Sequence, residues 1–231
     1  MIRLSASLIK DYISCRKKAF YRLTQPEQAV PSEDMVIGSI IHKILESGWD
    51  SNYSESLEYA RSLLAEYNLL GISTKKIDKI DLSLKNYFNI FSSLVSKDDL
   101  IEYSFQIQYN SDAILVGKFD RITKDGVVID WKTESVTPSS VDRDIQYIIY
   151  YCSYKKLFEK EPKKVLNISL INGKIVEFIP DEYYIKELYN FIIPDIISEI
   201  KSNKYIRNGL FNRACNICQF NSICFKELRN L

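Results

Sequence analysis

Apolar residues recur at helical spacing through several stretches of this chain and in short compact runs through others. Leu8, Tyr12 and Ala19 share one pattern behind Leu4, and Ser5 or Ser7 can cap the first turn, which predicts a helix to about Leu23. Pro26 to Asp34 predicts a loop. Further helices are predicted over Val36 to Trp49, Glu55 to Tyr67 and Lys76 to Val95. The pattern then turns to strands. Ile101 to Tyr109, Ala113 to Ile122 and Val127 to Trp131 predict a meander, with Lys124-Asp125-Gly126 turning between the last two. A helix from about Ser140 to Phe158 follows, starting from Pro138 to Asp142. Next comes a hairpin of Val165 to Leu170 and Lys174 to Ile179 about the Asn172-Gly173 turn. Asp181 to Asn203 predicts the last long helix, bent or interrupted at Pro194. Helices, then a mixed sheet, then helices make an α/β chain.

Composition narrows this picture. A chain of 231 residues with 46% hydrophobic content buries one sizeable core and is short for two full domains, and seven glycines leave no room for long flexible linkers. A single domain over residues 1–231 is expected. No internal repeat or low-complexity tract is visible. Met1 to Phe20 is interrupted by Lys10, Asp11 and Arg16, unlike a secretory leader, and no run approaches a membrane span, so a cytoplasmic (intracellular) protein with no membrane partner is expected. Net charge is only +1. Positive charge is local instead, at Arg16-Lys17-Lys18 with Arg22, at Lys75, Lys76 and Lys79, and from Lys155-Lys156 to Lys163-Lys164. Such runs are mostly solvated helix faces; they can also form a rim that tracks phosphates around an acidic centre.

The chemistry concentrates in Gly117-Lys118-Phe119-Asp120 and Val128-Ile129-Asp130-Trp131-Lys132. Folding back at the turn brings Asp120 and Asp130 together, and two adjacent carboxylates repel unless a divalent cation neutralises them. Lys132 lies two residues past Asp130, so both side chains point to one face of the strand. A Mg²⁺ or Mn²⁺ ion beside an ammonium suits water attack on a phosphodiester. Taken singly, each charge is more often a solvated surface group. Asp130 is less so, because it ends an apolar run. Gln146 and Tyr150, four residues apart, share a helix face. Glu102 is a possible extra acid whose simpler reading is an exposed strand charge. Tyr147, Tyr150, Tyr151 and Tyr154 crowd one helix and could stack bases, though core packing is the commoner role of such tyrosines.

Gly38-x-x-x-His42, Gly117-x-x-Asp120, Asp130-x-Lys132 and Gln146-x-x-x-Tyr150, in that order, resemble the RecB-like branch of the PD-(D/E)XK nuclease superfamily. The resemblance extends from Leu4 to Cys224. It implies a restriction-endonuclease-like mixed central sheet flanked by helices, with a nuclease core at about 36–203. It also implies metal held by His42, Asp120 and Asp130, catalysis by Asp120, Asp130 and Lys132, and DNA positioning by Gln146 and Tyr150.

Five cysteines remain: Cys15, Cys152, Cys215, Cys218 and Cys224. In an intracellular chain the C-x₂-C-x₅-C run at Cys215, Cys218 and Cys224 suggests metal, and Cys15 is the natural fourth ligand. Cys152 lies within an apolar helix pattern and reads as a small core residue. Spacing alone leaves structural Zn²⁺ and an iron–sulfur cluster both open. The arrangement resembles the CRISPR-associated RecB-like exonuclease family and the nuclease domain of AddB-type helicase–nucleases, where one amino-terminal and three carboxy-terminal cysteines hold a [4Fe–4S] cluster. Arg16 stands where those proteins often have proline. The resemblance implies cluster-binding elements at 1–24 and 207–231, so that the cluster joins the termini. It further implies a single-stranded DNA exonuclease of 5′→3′ polarity in CRISPR adaptation, with an integrase or a repair protein as partner. The alternatives are a recombination–repair or viral nuclease of the same fold and a non-catalytic Fe–S or Zn DNA-binding protein.

Overall fold

The computed structural model describes residues 1–47, 52–66, 73–141, 144–207 and 213–229. In chain order its main elements are β1 (Ile2–Leu4), α1 (Ala6–Ser14), α2 (Arg16–Thr24), α3 (Glu33–Ser47), α4 (Tyr53–Glu66), α5 (Thr74–Asn86), β2 (Leu100–Gln108), β3 (Ala113–Ile122) and β4 (Val127–Lys132). They continue with α6 (Pro138–Val141), α7 (Ile145–Phe158), β5 (Lys164–Ser169), β6 (Ile175–Glu177), α8 (Glu182–Glu187), α9 (Ile193–Ser202) and α10 (Asn221–Arg229). The predicted helix ends at Trp49, Tyr67 and Asp142 lie outside the described residues. Among the described residues, no helix is long and apolar enough to cross a membrane.

The chain forms two compact units. One comprises Met1–Ser32, Gln106–Gly117 and Asp181–Leu231, the other Glu33–Phe105 and Lys118–Pro180. In the second unit the strands run β3, β4, β5, β6, with β2 beside β3. β3 and β4 are antiparallel, β4 and β5 parallel, and β5 and β6 antiparallel. The parallel pair needs a crossover, which α7 supplies. Gly126 closes the β3–β4 turn at φ +83°, a conformation L side chains rarely adopt, and a Cβ there would also strike the Tyr154 hydroxyl at 2.7 Å.

Alternation along β4 divides its side chains between two layers. Ile129 and Trp131 join Ile168 and Leu170 of the β5 edge in a core with α3, α4 and α5. Asp130 and Lys132 face α7, whose Gln146 and Tyr147 bond to them. The resulting mixed sheet with helical cover is the α/β architecture expected from the sequence.

The first unit departs from the expected single opening helix. The chain breaks at Cys15, whose backbone is extended (φ −164°, ψ 117°) between α1 and α2. Ser5 accepts from Leu8 N–H at 3.2 Å as the cap of α1, while the Cys15 carbonyl accepts the first bond of α2. Buried Asp11 on α1 pairs with Lys18 (2.6 Å) and Arg22 on α2, which fixes the bend. The last long helix is likewise divided, by a wide π-turn at Leu188–Ile192 just before Pro194. Proline has no N–H for the Asn190 carbonyl, so the regular ladder fails there. The helix expected from Ser140 to Phe158 is also two pieces, because Asp144 caps α7 by accepting from Gln146 N–H at 2.8 Å.

Candidate active site

All the side chains of the candidate nuclease site belong to the second unit. On α3, Ile37, Ile40, Ile41, Ile44 and Leu45 form a helical apolar stripe, fully buried. His42 sits at the edge of that stripe. Gly38, one turn earlier, lets the helix approach the end of β4: a Cβ there would meet Thr133 Oγ1 at 3.3 Å. Burial, the largest influence, holds the His42 imidazole below its ordinary pKa, so it stays neutral with a lone pair free for a metal.

His42, Glu102 and Asp120 each offer a ligand atom, and these atoms all lie within 4.8 Å of one another. His42 Nδ1 is 3.5 Å from Asp120 Oδ2, which also accepts from the Trp131 N–H at 2.9 Å. Burial and then the charge of Asp130 push the Asp120 carboxyl well above the usual carboxylate range. A cation placed among these groups relieves both penalties at once, so the donor set fits a hard divalent ion with oxygen and imidazole ligands.

Glu102 corrects the expectation of an exposed strand charge. Its side chain is mostly covered and pairs with Lys118, and its backbone takes φ +50° within β2. A left-handed residue that is not glycine inside a strand is strained, and such strain collects at functional sites. Here it coincides with the turn of a carboxylate into the metal-binding group. Nothing in the sequence marks that φ.

Asp130 is differently placed from Asp120. It is 1% exposed, and both its oxygens already accept hydrogen bonds. Gln146 Nε2 donates to Oδ1 at 2.7 Å, Tyr147 Oη donates to Oδ2 at 2.8 Å, and Lys132 Nζ lies 2.8 Å from Oδ2. Gln146 is the hub of this network. Its Nε2 also reaches Tyr150 Oη at 3.0 Å, while its Oε1 accepts from Lys132 Nζ at 3.2 Å. Tyr150 in turn donates to the Lys118 carbonyl at 2.7 Å. Every donor thus meets an acceptor, which fixes the orientation of the amide. Burial would lower the Lys132 pKa, but Asp130 outweighs it and holds the ammonium above its ordinary value, charged at neutral pH.

The expected site residues His42, Asp120, Asp130, Lys132, Gln146 and Tyr150 therefore stand in one neighbourhood of this unit. Sequence reasoning missed Tyr147. Its hydroxyl bonds to Asp130, and burial, then Asp130, raises its pKa so that it stays a donor. Its position next to Gln146 and three before Tyr150 was the available signal. The tyrosines of this helix take their commoner role: Tyr147, Tyr150 and Tyr154 are at most 5% exposed and pack in the core, which leaves no free face for a base.

The first unit holds four of the five cysteines. Cys15, Cys215, Cys218 and Cys224 line one small cavity together with Lys18 and Tyr21. Arg207 Nε donates to Cys224 Sγ at 3.2 Å, and Glu227 joins Arg207 (2.9 Å) to Lys17 (3.2 Å) beside it. Burial and then the neighbouring thiols raise Cys215; burial also raises Cys218. Cys152 is half-buried rather than the core residue expected, and lies in the other unit.

Residues 3–225 match the family described as the PD-(D/E)XK nuclease superfamily. Among solved structures, the protein described as "Putative exonuclease" from Eubacterium rectale is 12% identical over 95% of this chain and 88% of its own, with a TM-score of 0.66. At that identity the likeness is one of fold. A second, SSO0001, is 17% identical over 97% of this chain and 86% of its own, with a TM-score of 0.44. No curated protein matches the sequence.

Proposed function

This chain belongs to the PD-(D/E)XK nuclease superfamily, and from that premise we propose that it is a metal-dependent exonuclease of single-stranded DNA or single-stranded ends. The observation that carries this reading is the convergence of His42, Glu102 and Asp120 on one ion-sized space in the same unit as a charged Lys132 held by Asp130 and Gln146. A Mg²⁺ or Mn²⁺ ion there supplies charge for a phosphate oxygen and acidifies a water. The protein's own part is to hold the donors in place and to present the Lys132 ammonium to the charge that develops on the phosphate. Asp130 keeps Lys132 in position and, as the second carboxylate of the motif, completes the ligand set. Gln146 and Tyr150 position Lys132 and the β3 backbone.

We assign 5′→3′ polarity, a [4Fe–4S] cluster on Cys15, Cys215, Cys218 and Cys224, and a place in trimming DNA ends for CRISPR integration. The motif and cysteine order support these finer assignments, as does the gathering of all four cysteines on one cavity. Residues 1–231 are read as one nuclease domain because the family match spans both compact units.

Linear oligonucleotides labelled at one end or the other, and a circular single strand, test the activity with Mn²⁺ or with chelator. The 5′ label should be released first, the circle should stay intact, and chelator should stop the reaction. Cleavage of the circle would replace the exonuclease reading with an endonuclease. No cleavage in either metal would leave a DNA-binding protein.

A further inference from the structure

The lysine pair Lys76 and Lys79, singled out by charge in the sequence, is not used by the metal centre. The two stand three residues apart on α5 and so share a face of the helix. Both ammoniums converge on a single carboxylate, Asp34 in the first turn of α3, at 2.5 Å and 2.9 Å. The lysines are the covered partners, with side chains 23% and 22% exposed, whereas Asp34 is 57% exposed. The built part of the bracket is thus cationic, and its displaceable part is the anion. One groove of about 250 Å³ is lined by Asp34 and Lys79 at the bracket and by His42 and Lys132 of the nuclease centre. Asp34 and His42 are eight residues apart on α3, an axial rise of roughly 12 Å.

We propose that Lys76 and Lys79 form a docking fork for a phosphodiester of the DNA strand a nucleotide or two from the scissile one, and that Asp34 occupies the fork until DNA displaces it. The proposal rests on the nuclease reading for its ligand, and its geometry does not require cleavage. Two ammoniums around one anion offer separate donors to two non-bridging oxygens, as they now do to two carboxylate oxygens. Asp34 and His42 stand about two turns apart on α3, so the fork is read as holding a different phosphate from the metal centre, setting where the strand lies and leaving the chemical step alone. The lysine contacts keep the Asp34 carboxyl below its ordinary pKa, so the bracket persists at neutral pH in the absence of DNA. A plain salt bridge between α3 and α5 is the competing account, and the two make opposite demands on Asp34.

The test uses a fluorescent single-stranded oligonucleotide, with binding read by anisotropy in Ca²⁺ over a range of salt and cleavage read in Mn²⁺. The double substitution Lys76→Ala/Lys79→Ala should weaken binding several-fold and lower the salt slope by about 0.7, the loss of one phosphate contact on a single strand. It should raise KM with kcat unchanged. Asp34→Asn should do the opposite and tighten binding, because the fork no longer has an internal anion. Lys124→Ala, an exposed lysine elsewhere in this unit, should do neither. If Asp34→Asn weakens binding or leaves it unchanged, or if the lysine variant keeps the wild-type salt slope, the fork is only a structural bracket. Because binding is measured apart from cleavage, an inactive wild type that still shows these opposite shifts would overturn the nuclease reading and not the fork.

Discussion

The carboxylate centre and the cysteine cavity both gather groups that bind metals, and they are held together by opposite means. At the carboxylate centre, the strands β3 and β4 and the helices α3 and α7 place each group, and nearly every polar atom has a protein partner. What is unresolved there is charge, since Asp120 and Asp130 are buried together. At the cysteine cavity the proposed ligands come from the break between α1 and α2 and from a segment some two hundred residues later, 215–224. Arg207 on Cys224 is one side-chain bond to those sulfurs. On the proposed assignments, the preorganised scaffold would need its metal for chemistry, whereas the site gathered from distant segments would need its metal for assembly.

That contrast predicts unequal consequences. The largest is at the cysteines. Cys15→Ser should release the proposed cluster and destabilise the chain, because the binding energy of such a site is coupled to folding. Protease protection and hydrogen exchange in residues 1–32 and 181–231 should deteriorate first. Wild-type melting with iron lost would break the contrast. Lys132→Ala should slow cleavage by about 10²–10³-fold, and because it leaves buried Asp130 without its counter-charge the melting temperature should fall as well. Unchanged cleavage would remove Lys132 from the chemistry.

How far the sequence discloses each region follows the same division. Alternation in Val127 to Trp131, the Gly126 turn and the apolar stripe of α3 are local and periodic, so the strands, their faces and the positions of His42, Asp120, Asp130 and Lys132 could be read directly. The φ of Glu102, the extended backbone at Cys15 and the cap at Asp144 depend on tertiary partners that leave no periodic trace. Asp11 shows the reason: its lysine and arginine partners are seven and eleven residues away, and only the bend between α1 and α2 unites them. Tyr147 was obscured differently, because its ring belongs to the core while its hydroxyl belongs to the site.

Two smaller effects sharpen the picture of the carboxylate centre. Tyr147→Phe removes a buried donor from Asp130 and should cost about 1–3 kcal/mol in stability, read by denaturant titration. A neutral result would mean that Lys132 and Gln146 alone satisfy that carboxylate. The pH dependence carries the charge conflict. The Asp120 carboxyl is raised in the folded, metal-free protein, so between its ordinary pKa of 3.8 and that raised value the folded state binds more protons than the unfolded state. Stability from this group is therefore full below 3.8 and is lost as pH rises through the folded value. Asp120→Asn should consequently stabilise the metal-free protein slightly at pH 7, and Mn²⁺ should raise the melting temperature of the wild type more than that of the variant. Equal Mn²⁺ shifts in the two proteins would show that the ion binds elsewhere.

The most direct test of the central claim is single-turnover cleavage of an end-labelled single strand by wild type and by Asp120→Asn across a Mn²⁺ titration. The account predicts metal-dependent cleavage by the wild type and its loss in the variant at every Mn²⁺ concentration, with DNA binding retained. Wild-type rates and an unchanged metal midpoint in Asp120→Asn would contradict it.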